Sequence, residues 1–426
     1  MIVRAVSDAG AHGAPRSVHA SIAAVSVADV RLIVVGIGAD GWSGLGEAAR
    51  SLILDADTVV GAPRQLGLLP DVDAQQRLGW PRPLRDGLPA LLDSLVGRRV
   101  VALASGDPLV SGIGTTLVNV LGADRVTVIP QISSVALARA RMGWPAESVA
   151  VVSVVGRDVH AVLREVVPGM RLLVLSSDED TPAQLAGLLD SLGYGRSRMV
   201  VLGDVGSAAE SRIETTVEQG VGVVSRLNII ALEIAGPLRT GCATGLPDEL
   251  FDNDGQLTKR DLRASALARL MPVPGHLLWD VGAGAGSVGI EWMRAHPGCR
   301  AVAVEADAER AERIRRNADA LGVPALRVVN GRAPTVLADL DDPDAIFVGG
   351  GATRPGVVGT CVTRLAPGGR LVMHGVTVET ETLLAEAFRR HGGELTRIHI
   401  ERAAPVGTFT GWTPARAVTQ WAWIKS

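Results

Sequence analysis

The run Trp279 to Glu291, WDVGAGAGSVGIE, holds the residue types and spacing best suited to grip a charged cofactor. Glycines at a strand-to-helix turn let backbone N–H groups meet a ligand, and the helix that follows presents its positive end there. Read from Gly284, the run spells G-x-G-x-x-G (Gly284, Gly286, Gly289), the pattern of dinucleotide-binding turns. Read from Asp280, it spells D-x-G-x-G-x-G, the pattern of turns that hold S-adenosylmethionine (SAM). The first reading would move hydrides, the second methyl groups.

Three further features bear on the choice. Asp280 ends its strand ahead of the first glycine, where a carboxylate could accept from a methionyl ammonium but would repel a pyrophosphate. Glu305 ends the next strand in VAVEAD, placed for ribose hydroxyls under either reading. The third strand runs into NGRAP, Asn330 to Pro334, whose backbone around Arg332 and Ala333 could face an adenine. These favour SAM. A NAD(P)-dependent reductase and a non-catalytic SAM-binding protein are the alternatives. Methyl transfer from a sulfonium is an in-line displacement that asks for positioning at ~3–3.5 Å and exclusion of water. No metal is expected.

The elements that must position these residues follow from the apolar pattern. In TKRDLRASALARLM, Leu262, Ala266, Leu267 and Leu270 recur at three- and four-residue spacing, which predicts a helix with Thr258 as its N-cap. Strands are predicted at HLLWDVG, RAVAVEA, LRVVNG, AIFVGG and GRLVMHG, with a helix after each. The last segment, TRIHIERAAPVGTFTGWTPARAVTQWAWIKS, reads as two strands around a long turn. Upstream, RLIVVGIG, DTVVG, RVVALAS, RVTVIP, SVAVVSVVG, RLLVLSS, RMVVLGD and LNIIALEIAG predict eight more strands with helical patterns between most of them. The whole chain is therefore α/β. Turn residues over 238–256 predict a linker between a domain at 29–237 and another at 257–426. Residues 1–28 are polar, lack the apolar core of a signal peptide and are expected to form a disordered tail.

The 42 basic and 45 acidic residues nearly cancel, so no global field favours nucleic acid or a membrane surface. Only two of the basic residues are lysines, Lys259 and Lys425. No apolar run reaches the ~18 residues of a membrane span. Cys242, Cys299 and Cys361 form no C-x-x-C pair, which suits a reducing cytoplasm and argues against a zinc site.

With these motifs in place, FDNDGQLTKRDLRASALARL, LLWDVGAGAGSVGIEW and PDAIFVGGG together resemble the CbiT-type precorrin methyltransferase–decarboxylase family of cobalamin synthesis. The resemblance covers about 170 residues and implies a Rossmann-like class I SAM methyltransferase fold. By it, Thr258, Asp280, Gly282, Ala283, Gly284, Ala285, Gly286, Glu305, Arg332 and Ala333 would surround SAM. In the first half, VVGIGADGWSGL, SGDPLVSGIG and PQISSVALARARMGW resemble the tetrapyrrole methylase (class III SAM) family, CbiE-type, whose fold has two α/β subdomains. That implies a second SAM beside Gly36 and Gly38, the Gly106-Asp107-Pro108 turn with Val110, and Ser133-Ser134. Two SAM sites per chain are thus expected. The chain departs from that family at Gln131, where glycine is usual, and at Val155, where histidine is frequent. The second strand also ends in VVGAPR without an acidic residue, so no acid–base role carries over to it.

Both halves in one chain resemble the fused, CobL-type C5,15-methyltransferases of corrin precursors. The resemblance implies a tetrapyrrole substrate and a homo-oligomer, with no nucleic acid or membrane partner. A polyanionic macrocycle should be met by arginines. Arg260, Arg332 and Arg354 are the candidates, with His374 as a candidate proton donor.

Overall fold

A computed structural model of the chain describes residues 31–241 and 243–426. The tail expected over residues 1–28, like Cys242, lies outside the described residues. Two compact units result: the described residues up to Trp144 with Leu202–Arg212 and Leu227–Ile229, and the remainder from Pro145 on.

The first sheet is built from β1 (Leu32–Ile37), β2 (Thr58–Gly61), β3 (Gln76–Gly79), β4 (Val100–Ser105) and β5 (Val126–Ile129), in the order β3-β2-β4-β1-β5. Its pairings are all parallel. Parallel strands are covered on both faces, which is why LIVVGI and VVALAS read as continuous apolar runs. One face packs on Leu88, Leu92 and Leu117, the other on Leu45 and Ile53. A second sheet has β6 (Val149–Ser153), β7 (Arg171–Leu175), β8 (Arg198–Gly203), β9 (Ser211–Thr216) and β10 (Asn228–Glu233), in the order β6-β7-β10-β8-β9. Two strands were not foreseen. β3 (QRLG) and β9 (SRIETT) are edge strands whose polar residues carry no apolar signal.

The last sheet holds β11 (Leu277–Val281), β12 (Arg300–Glu305), β13 (Arg327–Asn330), β14 (Ala345–Val348), β15 (Arg370–Gly375) and β16 (Glu394–Ile398). A separate antiparallel hairpin, β17 (Glu401–Val406) with β18 (Phe409–Pro414), precedes the final strand β19 (Val418–Ile424). The seven-stranded order is β13-β12-β11-β14-β15-β19-β16, with β19 antiparallel to both neighbours. This is the expected class I methyltransferase arrangement. The chain leaves β11 toward β12 and β13, then returns to β14 on the other side, so a crevice opens beyond the ends of β11 and β14.

Three details differ from expectation. Helices follow β11, β12, β14 and β15, but β13 is followed only by the 3-10 turn Thr335–Leu337, started by Pro334. The long turn near the end is itself the β17–β18 hairpin, whose residues are mostly exposed and so show no alternating buried face. The N-cap position of the helix Arg260–Leu270 is Lys259, not Thr258: Lys259 is extended and its carbonyl accepts the Arg263 N–H, while the Thr258 carbonyl accepts from the Arg263 guanidinium. That helix buries Arg263 in its apolar stripe, where the pattern had placed Leu262.

Candidate active site

A cavity of about 1040 Å³ lies over the ends of β11, β12 and β14. Its walls are the turns at 282–284, 331–333 and 349–351, the segment 255–259, Glu305 and the β17–β18 hairpin. Two glycines let these turns interlock. Gly282 has φ +67°, and a Cβ there would lie 2.6 Å from the Gly350 carbonyl oxygen. Gly284 has φ +59°, and a Cβ would lie 2.5 Å from the carbonyl oxygen of Gln256. Only a residue without a side chain fits either position at low cost.

Glu305 is 6% exposed, and both its oxygens already accept backbone bonds, Oε2 from Gly284 N–H (2.9 Å) and Oε1 from Asp307 N–H (3.0 Å). A carboxylate has about four acceptor positions, so it can still receive ribose hydroxyls while it braces the glycine turn. Of the ten residues expected around SAM in this half, Thr258, Gly282, Ala283, Gly284, Glu305, Arg332 and Ala333 line the cavity. Asp280, Ala285 and Gly286 stand behind that wall. Gly286 is turned toward the next helix, where a Cβ would meet Ile314 at 2.7 Å.

Asp280 is 1% exposed; its Oδ2 accepts from Gly289 N–H (2.9 Å), while Oδ1 has no hydrogen-bond partner among the described residues. A buried acceptor without a donor, beneath a glycine turn, fits a cationic group brought by a ligand. Burial pushes the Asp280 carboxyl up to about 7, and the charge of Glu305 adds to this. Carboxyls ordinarily titrate near ~3.9, so in the fold Asp280 is still protonated at pH 5. The stability its neutral form contributes is lost as pH rises through about 7. Asp280→Asn is therefore expected to raise the thermal midpoint of the ligand-free chain more at pH 8 than at pH 5. An equal gain at both pH values by calorimetry would contradict this.

The cationic lining is richer than the sequence indicated. Arg332 and Arg354 line the cavity as expected, joined by Lys259, Arg310, Arg402 and Arg416, while Arg260 packs beside Gly245 instead. Arg310 is tied to Asp254 and Arg402 to Asp261. Arg332, Arg354 and Arg416 have no carboxylate within 4 Å among the described residues, which leaves three guanidinium groups for a ligand's own carboxylates. Arg402 and Arg416 belong to the hairpin region, whose structure the sequence did not disclose.

His374 also lines the cavity, at the end of β15. Its Nε2 donates to Gln420 Oε1 (2.9 Å), and its ring meets Phe347 edge-on at 5.0 Å. Burial is the main reason its imidazole is pushed down to about 4, with the Gln420 bond opposing and Arg269 adding. It is therefore neutral near pH 7, and the one N–H it keeps there points at Gln420. The thiols of Cys299 and Cys361 are both pushed up by burial, Cys361 to about 12, so neither is an activated nucleophile.

Positioning falls to residues that no motif marked. Arg263, fully buried, pairs with Glu291 and Asp248, and Glu291 accepts in turn from the Gly245 and Leu246 N–H groups. This pins the segment entering the domain against the helix of the glycine turn. A buried pair of this kind is costly to break on one side only.

In the first half, the three motif groups come together at the ends of β1, β4 and β5. The Gly106 N–H donates to Ile37 O (3.0 Å), and Gln131 N–H donates to Gly106 O (3.2 Å). A Cβ on Gly36 would lie 1.9 Å from the Gly106 carbonyl oxygen and 2.7 Å from Gln131 N. Gly106 itself has φ +55° and faces the Ser133 backbone. Asp107 Oδ1 accepts from Leu109 N–H (2.9 Å) to hold the turn that carries Val110, and Ser133 Oγ caps the helix Ser134–Met142 through Ala136 N–H (3.1 Å). Gly38 is set against the Asp40 carboxylate. Gln131 is not among the residues with positive φ, so this departure from glycine carries no backbone strain. Its side chain is put to use, donating to the Gly44 carbonyl.

A glycine turn, an acidic residue ending the second strand, and a crevice at the reversal of strand order define a SAM-dependent methyltransferase domain in the C-terminal half. Family models agree on both halves: residues 31–220 match the tetrapyrrole (corrin/porphyrin) methylases, and residues 249–425 a precorrin methyltransferase domain. A precorrin-6Y C(5,15)-methyltransferase [decarboxylating] of Sinorhizobium sp is 44% identical over 399 residues, 92% of this chain and 96% of that one. The protein of the same description from Mycobacterium tuberculosis (strain CDC 1551 / Oshkosh) is 44% identical over 398 residues, covering 92% and 100%. The crystal structure of the C-terminal domain of precorrin-6Y C5,15-methyltransferase from Rhodobacter capsulatus is 44% identical, with a TM-score of 0.42, covering 44% of this chain and 100% of that one. The chain belongs to the decarboxylating precorrin-6Y C(5,15)-methyltransferase family.

Proposed function

We propose that the chain methylates a corrin precursor, precorrin-6Y, at C5 and C15 and removes the C12 acetate carboxylate as CO₂, giving precorrin-8X in cobalamin synthesis. The observation that carries this is an arginine-lined cavity joined to a glycine-built cofactor cradle in a chain that is 44% identical to decarboxylating methyltransferases of this substrate. C5 methylation is assigned to the first half, with C15 methylation and decarboxylation assigned to the second. A boundary near residues 238–256 divides them.

SAM, when bound, supplies an electrophilic methyl group on a sulfonium. The chain's residues bind and orient. Glu305 receives the ribose hydroxyls, Asp280 offers its unpartnered oxygen toward the methionyl ammonium, and the backbone near Ala333 faces the adenine. Arg332, Arg354 and Arg416 hold the macrocycle's carboxylates, bidentately where geometry allows. The reduced meso carbons are enamine-like and supply their own electron pair, so no strong protein base is required. When the acetate C–C bond breaks, its pair passes into the neighbouring imine of the macrocycle, and the carbon left behind takes up a proton. The cavity contributes by desolvating and orienting that carboxylate.

Two SAM sites per chain belong to this reading, supported by two unrelated convergences of turns. Titration of the full chain with S-adenosylhomocysteine should show two sites by calorimetry; a single site would overturn that part. Glu305→Ala should weaken the C-terminal site by about 1–3 kcal/mol, the range for hydrogen bonds to a charged group. Unchanged affinity by the same titration would remove the ribose assignment. A homo-oligomer and a cytoplasmic location are proposed with it. Phe409 and Trp412, 79% and 72% exposed on the hairpin, support self-association, which sedimentation would test.

A further inference from the structure

The helix Ala308–Ala320 touches two parts of the C-terminal cavity wall, the segment leading to Thr258 and the glycine turn. Asn317, 3% exposed, spends both its N–H donors and its Oδ1 on backbone groups. Its Oδ1 accepts from Asp252 N–H (2.9 Å), and its Nδ2 donates to Asp252 O (2.9 Å) and to Ala285 O (3.0 Å). One amide thereby joins the segment ahead of Thr258 to the glycine turn. Ile314 of the same helix presses on Gly286.

Three arginines of that helix hold the segment's acids. Arg316 pairs with Asp252 (2.8 Å), Arg310 with Asp254 (2.8 Å), and Arg313 with Asp254 (3.1 Å). Arg310 above all, with the Gln256 N–H and Arg313, keeps the Asp254 carboxyl well below the usual range. Asp254 Oδ1 accepts from Gln256 N–H (3.2 Å), and the Gln256 carbonyl is the atom against which Gly284 packs. The contacts thus run from helix to acids, from acids to Gln256, and from Gln256 to the glycine turn.

We propose that Asn317 is a positioning residue for the cofactor, locking the segment Asp252–Thr258 against the turn 282–286 so that SAM affinity depends on a side chain behind the cavity wall. This rests on the reading of the cavity as a SAM site. The Arg316–Asp252 pair is largely exposed, and such a pair contributes little and is screened by salt, whereas the pairs of Arg310 and Arg313 with Asp254 are partly buried. The Asn317 bond to the Ala285 carbonyl is buried and its two bonds to Asp252 are partly so, and leaving these backbone partners unmet is the larger loss. Asn317 touches no reacting group, so its removal should appear in cofactor affinity and leave the chemical step alone.

The test uses the full chain with Asn317→Ala, Asn317→Asp and Arg316→Ala, titrated with S-adenosylhomocysteine and assayed for C15 methylation. Asn317→Ala should weaken one of two sites roughly ten- to hundredfold and raise the SAM KM similarly. The kcat at saturating SAM should stay within about twofold and the other site should not move. Asn317→Asp, which loses both donations, should weaken the same site, whereas Arg316→Ala should change it less than about twofold. A folded Asn317→Ala chain with two unmoved sites overturns the positioning role alone. A wild-type chain with a single site that the substitution leaves alone overturns the two-site reading as well. An unfolded C-terminal domain with kcat and KM lost together makes the role structural and also overturns the proposal.

Discussion

Gly284→Val is expected to abolish cofactor binding in the C-terminal half while leaving the first half intact. The position has φ +59°, which a β-branched residue adopts only under strain of about 1–3 kcal/mol. The added Cβ would also sit 2.5 Å from the Gln256 carbonyl oxygen. The obstacle is a backbone atom that cannot rotate away, so relief requires the segment carrying Gln256 to move off the turn. The Gly284 N–H would then leave Glu305 Oε2 and release the residue expected to hold the ribose. Together these should lower affinity at that site by at least about a hundredfold, roughly 3 kcal/mol. Calorimetry should retain one of two sites, and the product should lack the C15 methyl group. Normal affinity at both sites would show that the turn does not carry the cofactor.

Gly36→Ala should do the equivalent in the first half for a different reason. Gly36 has no positive φ, so the obstacle is space. The methyl group would fall 1.9 Å from the Gly106 carbonyl oxygen and 2.7 Å from Gln131 N, two atoms that bond to each other. The three turns converge on this spot and cannot all stay. Overpacking of this sort costs about 1–3 kcal/mol in stability, and the geometry of the Gly106-Asp107-Pro108 turn goes with it. The expected result is loss of C5 methylation by about a hundredfold with the C-terminal site still titrating normally. Retained C5 methylation in a folded Gly36→Ala protein would contradict the placement of a SAM site there.

Legibility in the sequence followed burial and sequence distance. The strands of the three sheets were readable where both faces are covered, as in β1 and β4, because burial forces a run of apolar residues. At the edges it forces nothing, and β3 and β9 went unseen. The hairpin β17–β18 was hidden for the same reason, and with it Arg402 and Arg416, although they line the cavity. Gly284 and Glu305 could be named because a short motif fixes both their type and their place. The reason for Gly284 could not: the motif suggests contact with a ligand, whereas the nearest obstacle is Gln256, carried by a segment that joins the turn only in the fold. Asn317 and Arg263 act across 65 and 28 residues of chain respectively, and no local pattern records such a bond. Burial likewise shifts the protonation of Asp280 and His374, one pushed up and one pushed down for want of solvent, and no local pattern records burial.

The C-terminal half is proposed to be a decarboxylating methyltransferase complete in itself. Residues 240–426 expressed alone, given a competent corrin precursor and SAM, should release the C12 carboxylate as CO₂ and add one methyl group at C15. Mass spectrometry combined with labelled-methyl NMR of the product reads both events in one sample. A fragment that binds SAM yet returns the substrate with its C12 acetate intact would contradict the account.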